Sequence, residues 1–64
     1  MIKINGEDVN REEVLLLDYL QEQNYSLKRI VVECNEKIVP RDQYETFMLH
    51  AGDVVEIVSF VGGG

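Results

Sequence analysis

The sequence predicts an α+β domain in which a mixed β-sheet packs on one main helix. Three features predict it: an alternating apolar segment interrupted by Asn5-Gly6, a single leucine-rich amphipathic segment, and a long β-branched segment near the end of the chain. The 64 residues have room for one domain of this kind.

The chain opens with a predicted β-hairpin. Ile2 and Ile4 alternate with Lys3, and the Asn-Gly pair that follows favours a type I′ turn, because both of its central residues need positive φ. A two-residue loop would place Ile4 opposite Glu7 and Ile2 opposite Val9. Ile2, Ile4 and Val9 would then share one face of the sheet.

The leucine-rich segment predicts a helix over about residues 11–23. Val14, Leu17 and Leu20 recur at every third position, and Leu16 precedes Leu20 by four residues, so the apolar side chains form one face.

The ends of this helix also carry sequence signals. We expect Asn10 to cap its N-terminus, with Glu13 three residues later as in a capping box. Glu12 and Glu13 would place negative charge in the first turn, where the helix dipole favours it. Asn24 is expected to take the left-handed conformation after the last turn.

Four further strands are predicted after the helix, one of them the short strand at 47–49. The other three cover residues 30–34, 38–39 and 54–61, with an irregular or 3₁₀ segment at 41–46 and turn residues at 50–53. Pro40 should end the strand at 38–39, since proline cannot donate a sheet hydrogen bond. We expect the first and last strands to pair side by side and in parallel, which is the β-grasp or ubiquitin-like arrangement, over residues 1–61.

Composition excludes several classes of function. Twelve acidic residues against six basic ones leave a net charge of −6, which disfavours nucleic acid and anionic membranes and suits a basic partner protein. One cysteine cannot build a disulfide framework or a multi-cysteine metal site. The longest apolar run, Val14 to Leu17, is too short for a signal peptide or a membrane span, so we expect a cytoplasmic protein.

No combination of residues predicts an enzyme active site, a metal site or a bound cofactor. His50 is the only histidine and has no cysteine or histidine close to it in sequence. Cys34 is in phase with Ile30 and Val32, which favours a small buried side chain over a nucleophile.

The C-terminus is the unusual feature of the sequence. A predicted strand leads directly into Gly62-Gly63-Gly64, and a segment without side chains is narrow enough to enter a channel in another protein. It ends in the α-carboxylate of Gly64, which acylates other groups only after activation, for example by adenylation. The alternative interpretation is a frayed end or a remnant of cloning.

The two faces of the last strand predict a docking surface. We expect Val55 and Ile57 to face the helix, which leaves Val58 and Phe60 on the open face of the sheet. An exposed apolar patch on a small acidic protein often marks a partner-binding surface. The alternatives are a strand covered on both sides and a strand with its faces reversed.

Taken together, these segments resemble ThiS, of the ubiquitin-like ThiS/MoaD family of bacterial sulfur carriers. The resemblance covers most of the chain and depends on the opening Ile-Asn-Gly hairpin, on residues 35–41 with Tyr44, and on the ending from Gly52 to Gly64. The connection between hairpin and helix is shorter than is usual in the family and lacks its Gly-Thr-type helix start.

The resemblance implies a role in thiamin biosynthesis. A ThiF-like adenylating enzyme would use ATP and Mg²⁺ to activate the Gly64 carboxylate, and a cysteine desulfurase or another persulfide donor would supply sulfur, giving a thiocarboxylate. A ThiG-like thiazole synthase would then take the sulfur. Gly62 and Gly63 would enter the partners' active sites, and Val58, Phe60 and Val61 would hold the start of the tail. The chain itself would be a protein co-substrate, not an enzyme, and would bind no cofactor.

Two alternatives remain open from the sequence. One is a sulfur carrier of another pathway, such as the small subunit of molybdopterin synthase, which has the same fold and ending. The other is a β-grasp interaction module whose glycine tail is inert.

Overall fold

The computed structural model describes residues 1–60. Within that range lie seven strands, one α-helix and two 3₁₀ turns. The strands are β1 (Ile2–Ile4), β2 (Glu7–Val9), β3 (Glu13–Leu15), β4 (Ile30–Cys34), β5 (Lys37–Val39), β6 (Met48–His50) and β7 (Val54–Ser59). The helix, α1, is Leu16–Glu22, and the 3₁₀ turns are Leu27–Arg29 and Arg41–Gln43.

Five of the strands form one mixed sheet in the order β2-β1-β7-β4-β5. The neighbouring strands β1 and β7 are parallel, as expected, and the other pairs of this sheet are antiparallel. Strands β3 and β6 form a separate antiparallel pair. The prediction of a mixed sheet on one helix is confirmed, and the parallel pairing of β1 with β7 gives the β-grasp topology.

The opening hairpin has the predicted register. Ile2 lies opposite Val9 and Ile4 opposite Glu7, and the turn residues Asn5 and Gly6 have φ of 52° and 81°. The Asn5 side chain also accepts a hydrogen bond from the backbone N–H of Ile57, at 2.7 Å. The turn therefore continues the contact with β7 beyond the end of β1.

The predicted start of the helix is wrong. Glu13 lies in β3, so neither it nor Glu12 is in the first helical turn, and Asn10 caps nothing because α1 begins at Leu16. The backbone N–H groups of Leu16 and Leu17 donate instead to loop carbonyls, those of Phe47 and Tyr44, at 2.8 and 3.1 Å. These carbonyls satisfy donors that a helix leaves free at its N-terminus, so the helix starts without a side-chain cap.

The end of the helix follows the sequence signal. The last helical residue is Glu22, one residue before the predicted end, and Asn24 has φ of 61°. The Tyr25 N–H then donates to the Leu20 carbonyl at 3.0 Å, which closes the helix C-terminus.

The core lies between α1 and the inner face of the sheet. The helix buries Leu16, Tyr19 and Leu20. The other buried side chains are Ile2, Ile4, Ile30, Val32, Cys34, Val39, Tyr44, Leu49, Val55 and Ile57. Full burial of an aliphatic side chain contributes about 1.5–3 kcal/mol, so this cluster is the main source of stability. The expected burial of Cys34 is confirmed.

The segments that follow β4 correspond closely to their predictions. Strand β5 stops before Pro40, and a 3₁₀ turn falls inside the 41–46 segment. The short strand is shifted by one residue and includes His50, which was expected in a turn; this histidine pairs with Glu13, with Nε2 and Oε2 3.3 Å apart. Strand β7 ends at Ser59, so Phe60, which was predicted to belong to it, lies just beyond its end; Val61 lies outside the described residues.

No helix of residues 1–60 is long and apolar enough to cross a membrane.

Candidate functional site

The two faces of β7 differ sharply in exposure. Val55 and Ile57 are buried against the core, whereas Val54 and Val58 are 46% and 58% exposed. This confirms which residues face the helix, because successive side chains of a strand point to opposite sides of the sheet. The outer side chains of β7 thus lie on the face of the sheet that α1 does not cover.

Exposed apolar side chains from three strands lie on this outer face. Val58 is directly opposite Val31 of β4. Phe60 follows two residues after Val58 along the chain and is 45% exposed. Its backbone N–H donates to the Arg29 carbonyl at 2.9 Å. We call this group the open-face patch: Val31, Ile38, Val54, Val58 and Phe60. An exposed apolar patch of this kind often marks a protein-binding site.

The sequence identified part of this patch. Val58 and Phe60 were predicted from alternation along the last strand, and both are exposed as expected. Alternation also places Val31 and Val54 on the outer faces of their strands. It does not show that these two strands are neighbours in the sheet. Ile38, 66% exposed, joins the patch only through the register of β5 with β4, which is a non-local property.

Two carboxylates lie within the same face. Glu33 of β4 is directly opposite Glu56 of β7, and Ile38 lies on the other side of Glu33. Both glutamates are exposed. On the other side of β7, Lys3 of β1 lies beside Val54 and forms an ion pair with Asp8 of β2 at 3.3 Å.

The open-face patch ends at Phe60, two residues before the predicted glycine tail. Strand β4 pairs with β7 as far as Ser59, and Phe60 extends that pairing by one hydrogen bond. The remaining predicted site residues, Val61, Gly62, Gly63 and Gly64, lie outside the described residues. Hydrogen bonds to β4 and to the residue before it therefore position the chain as far as Phe60, two residues before the predicted tail segment.

A hydrogen-bond network braces the opposite end of β7. The Asp53 carboxylate accepts from the His50 backbone N–H at 2.8 Å and from the Asn35 amide at 3.0 Å, and Asn35 accepts from the Val54 N–H at 2.9 Å. Burial alone would raise the pKa of Asp53, but these hydrogen bonds outweigh it and lower that pKa below its ordinary value. The network holds the β4–β5 turn against the β6–β7 turn.

A groove of about 480 Å³ lies beside this network, with Cys34, Lys37, Phe47 and Met48 among its lining residues. Burial, followed by the nearby Asp53 charge, raises the pKa of the Cys34 thiol. A thiol with a raised pKa is protonated at neutral pH, so Cys34 lacks the property a nucleophile needs. Within residues 1–60, no three His, Cys, Asp or Glu side chains are grouped to hold a metal ion.

A mixed five-stranded sheet on one helix, with an exposed apolar patch that extends to Phe60, defines a small domain of the β-grasp class. The sequence model of the ThiS family matches residues 15–64. The chain is 36% identical to the sulfur carrier protein ThiS of Bacillus subtilis, with complete coverage of both proteins. A crystal structure of the thiamine biosynthesis protein ThiS from Geobacter metallireducens superposes with a TM-score of 0.78 at 25% identity, covering 98% of this chain and 97% of that one.

The chain belongs to the ThiS family, the sulfur carriers of thiamin biosynthesis. It is also similar to part of a second kind of protein. The thiazole synthase of Paramagnetospirillum magneticum is 37% identical over 62 residues, a match that covers 95% of this chain and 19% of that protein. The thiazole synthase of Magnetococcus marinus matches 98% of this chain over 20% of its own length.

Proposed function

We propose that Gly64 carries sulfur as a C-terminal thiocarboxylate and delivers it to a thiazole synthase. The observation that carries this proposal is the family match through residue 64, which includes the whole glycine ending. The two thiazole synthases that contain a segment similar to this chain support the choice of acceptor.

The chemistry requires activation before sulfur transfer. The Gly64 carboxylate attacks the α-phosphorus of ATP in a ThiF-like enzyme with Mg²⁺, and pyrophosphate leaves. The terminal sulfur of a persulfide, held by a cysteine desulfurase or another donor, then attacks the acyl carbon and displaces AMP. A reducing thiol cleaves the resulting S–S bond and leaves the thiocarboxylate on the carrier.

This chain acts as a protein co-substrate, and its partners provide the catalysis. Residues 1–61 form the domain that partners bind, with Val58, Phe60 and Val61 holding the start of the tail. Gly62 and Gly63 enter the partner's active site, where a Cβ would obstruct close contact with the backbone. Three extended residues span at most about 10 Å, so the domain surface must dock close to the reacting atoms.

The intact mass of the chain tests the proposal. After incubation with a ThiF-like enzyme, a cysteine desulfurase, cysteine, ATP and Mg²⁺, we expect a gain equal to one oxygen replaced by one sulfur, mapped by fragmentation to Gly64. A chain that lacks Gly63 and Gly64 should keep its fold and gain nothing.

Two results would contradict the proposal. An unchanged mass, with enzymes shown to be active on another carrier, would favour an interaction module with an inert tail. Sulfur transfer to the large subunit of molybdopterin synthase, with none to thiazole synthase, would assign the chain to the alternative pathway.

A further inference from the structure

The acidic pair Glu33–Glu56 interrupts the open-face patch in an unusual way. Side chains directly opposite on antiparallel strands have Cβ atoms about 5 Å apart, and like charges in such a pair destabilise the sheet. Here the two carboxylates are neighbours across β4 and β7. No basic side chain among residues 1–60 forms an ion pair with either of them.

Exposed apolar side chains lie on three sides of this pair. Val31 and Val58, which lie opposite each other on β4 and β7, are next to the pair on one side. Val54, two residues before Glu56 on β7, is next to it on the other side. Ile38 lies beside Glu33 on β5. A partner surface that covers the patch would therefore remove water from both carboxylates, and each would need a hydrogen-bond donor to replace it.

We infer that the open face docks on an apolar surface of the adenylating enzyme from which one arginine reaches between Glu33 and Glu56. This inference rests on the proposed function and adds the chemistry of the partner surface. A guanidinium presents several N–H donors in a planar fork, so it can bond two carboxylates at once. Arginine is also enriched at the centre of protein interfaces, beside aromatic and apolar contacts.

Charge complementarity selects this occupant over a second copy of the chain. Two open faces packed on each other would bring two acidic pairs together within one dehydrated interface. The net charge of −6 on each copy adds to the repulsion. A basic group on the partner instead relieves the repulsion that Glu33 and Glu56 exert on each other.

The test compares the double variant Glu33→Gln/Glu56→Gln with a matched control, Glu12→Gln/Glu45→Gln. Both remove two negative charges from exposed positions, but the control positions lie outside the five-stranded sheet. The dissociation constant for the ThiF-like enzyme is measured at low and high salt by titration calorimetry, and thiocarboxylate formation is followed by intact mass.

We expect the double variant to bind about tenfold or more weakly at low salt and to lose most of its salt dependence. The control should stay within about twofold of the unaltered chain. Melting temperatures provide a second measurement: the double variant should melt at or above the temperature of the unaltered chain, because a like-charge pair has been removed. Weaker binding by a more stable protein cannot result from unfolding.

Three other results would each be decisive. Equal weakening in both variants would show that only net charge acts, and unaltered binding by the double variant would show that the apolar patch is sufficient; either overturns the inference while leaving the carrier function intact. An unaltered chain that binds the enzyme but gains no sulfur would overturn the proposed function, and with it this inference.

Discussion

Both faces of the five-stranded sheet carry apolar side chains, but these have opposite environments. Val55 and Ile57 on the inner face are buried, and Val54 and Val58 on the outer face are not, although all four belong to one strand. The inner face has α1 and the loops packed on it, and the outer face has no such cover among residues 1–60. Hydrophobicity alone therefore does not distinguish residues that stabilise the fold from residues available to a partner; position in the sheet does.

Matched substitutions on the two faces give the largest expected difference. Val55→Ala removes two buried methyl groups and leaves a cavity, which should reduce the free energy of unfolding by about 2 kcal/mol. Val58→Ala makes the same chemical change three residues later on the exposed face and should reduce it by less than about 1 kcal/mol. Denaturant unfolding of both variants measures the difference.

The partner affinities should show the reverse order. Val58→Ala should weaken binding to the ThiF-like enzyme, and Val55→Ala should leave the affinity of the folded fraction unchanged. Equal destabilisation by the two variants would contradict the assignment of the faces.

Phe60, just beyond the end of β7, tests whether an exposed apolar residue contributes to partner binding or to stability. Because its ring is 45% exposed at the edge of the open-face patch, Phe60→Ala should weaken partner binding by about tenfold with a melting temperature close to that of the unaltered chain. Met48→Ala is the control, since Met48 is 38% exposed but lies in the separate β3–β6 sheet. Calorimetric titration and thermal melting separate the two effects. A large loss of thermal stability with unchanged binding would show that Phe60 belongs to the core.

The elements that could be predicted from the sequence are those whose signals are local. The first hairpin and β4 were predicted correctly because their signals are local: Asn5-Gly6 defines the turn, and Ile30, Val32 and Cys34 alternate with outward residues. The start of the helix was predicted wrongly, because the sequence of residues 13–15 fits either a helix or a strand. Pairing with Met48–His50, more than thirty residues later, decides in favour of the strand.

The candidate site followed the same division. Val58 and Phe60 could be predicted from alternation along one strand. The Glu33–Glu56 pair required the register of β4 with β7, and the patch as a whole required the register of three strands. A local pattern shows on which face of its own strand a residue lies. Only tertiary pairing shows which residues of other strands are next to it.

The smallest predicted effect concerns Asp53, which braces the two turns at the other end of β7. Its pKa is lowered in the folded protein because hydrogen bonds from His50 and Asn35 favour the carboxylate over the opposing effect of burial. A group with a lowered folded pKa adds stability above its unfolded pKa, and that contribution is lost as the pH falls through the folded value. Stability should therefore fall as the pH decreases below about 4, the range in which an unperturbed aspartate titrates.

Asp53→Asn isolates this contribution. At pH 7 it should reduce the free energy of unfolding by about 1 kcal/mol, since an amide is a weaker acceptor than a carboxylate and its NH₂ group faces another donor. Between pH 7 and pH 3 the variant should lose less stability than the unaltered chain, because one carboxylate with a lowered pKa is absent. Urea unfolding at several pH values measures both quantities. Parallel stability curves for the two proteins across this range would show that the Asp53 charge does not contribute, and the brace would then depend on the Asn35 hydrogen bonds alone.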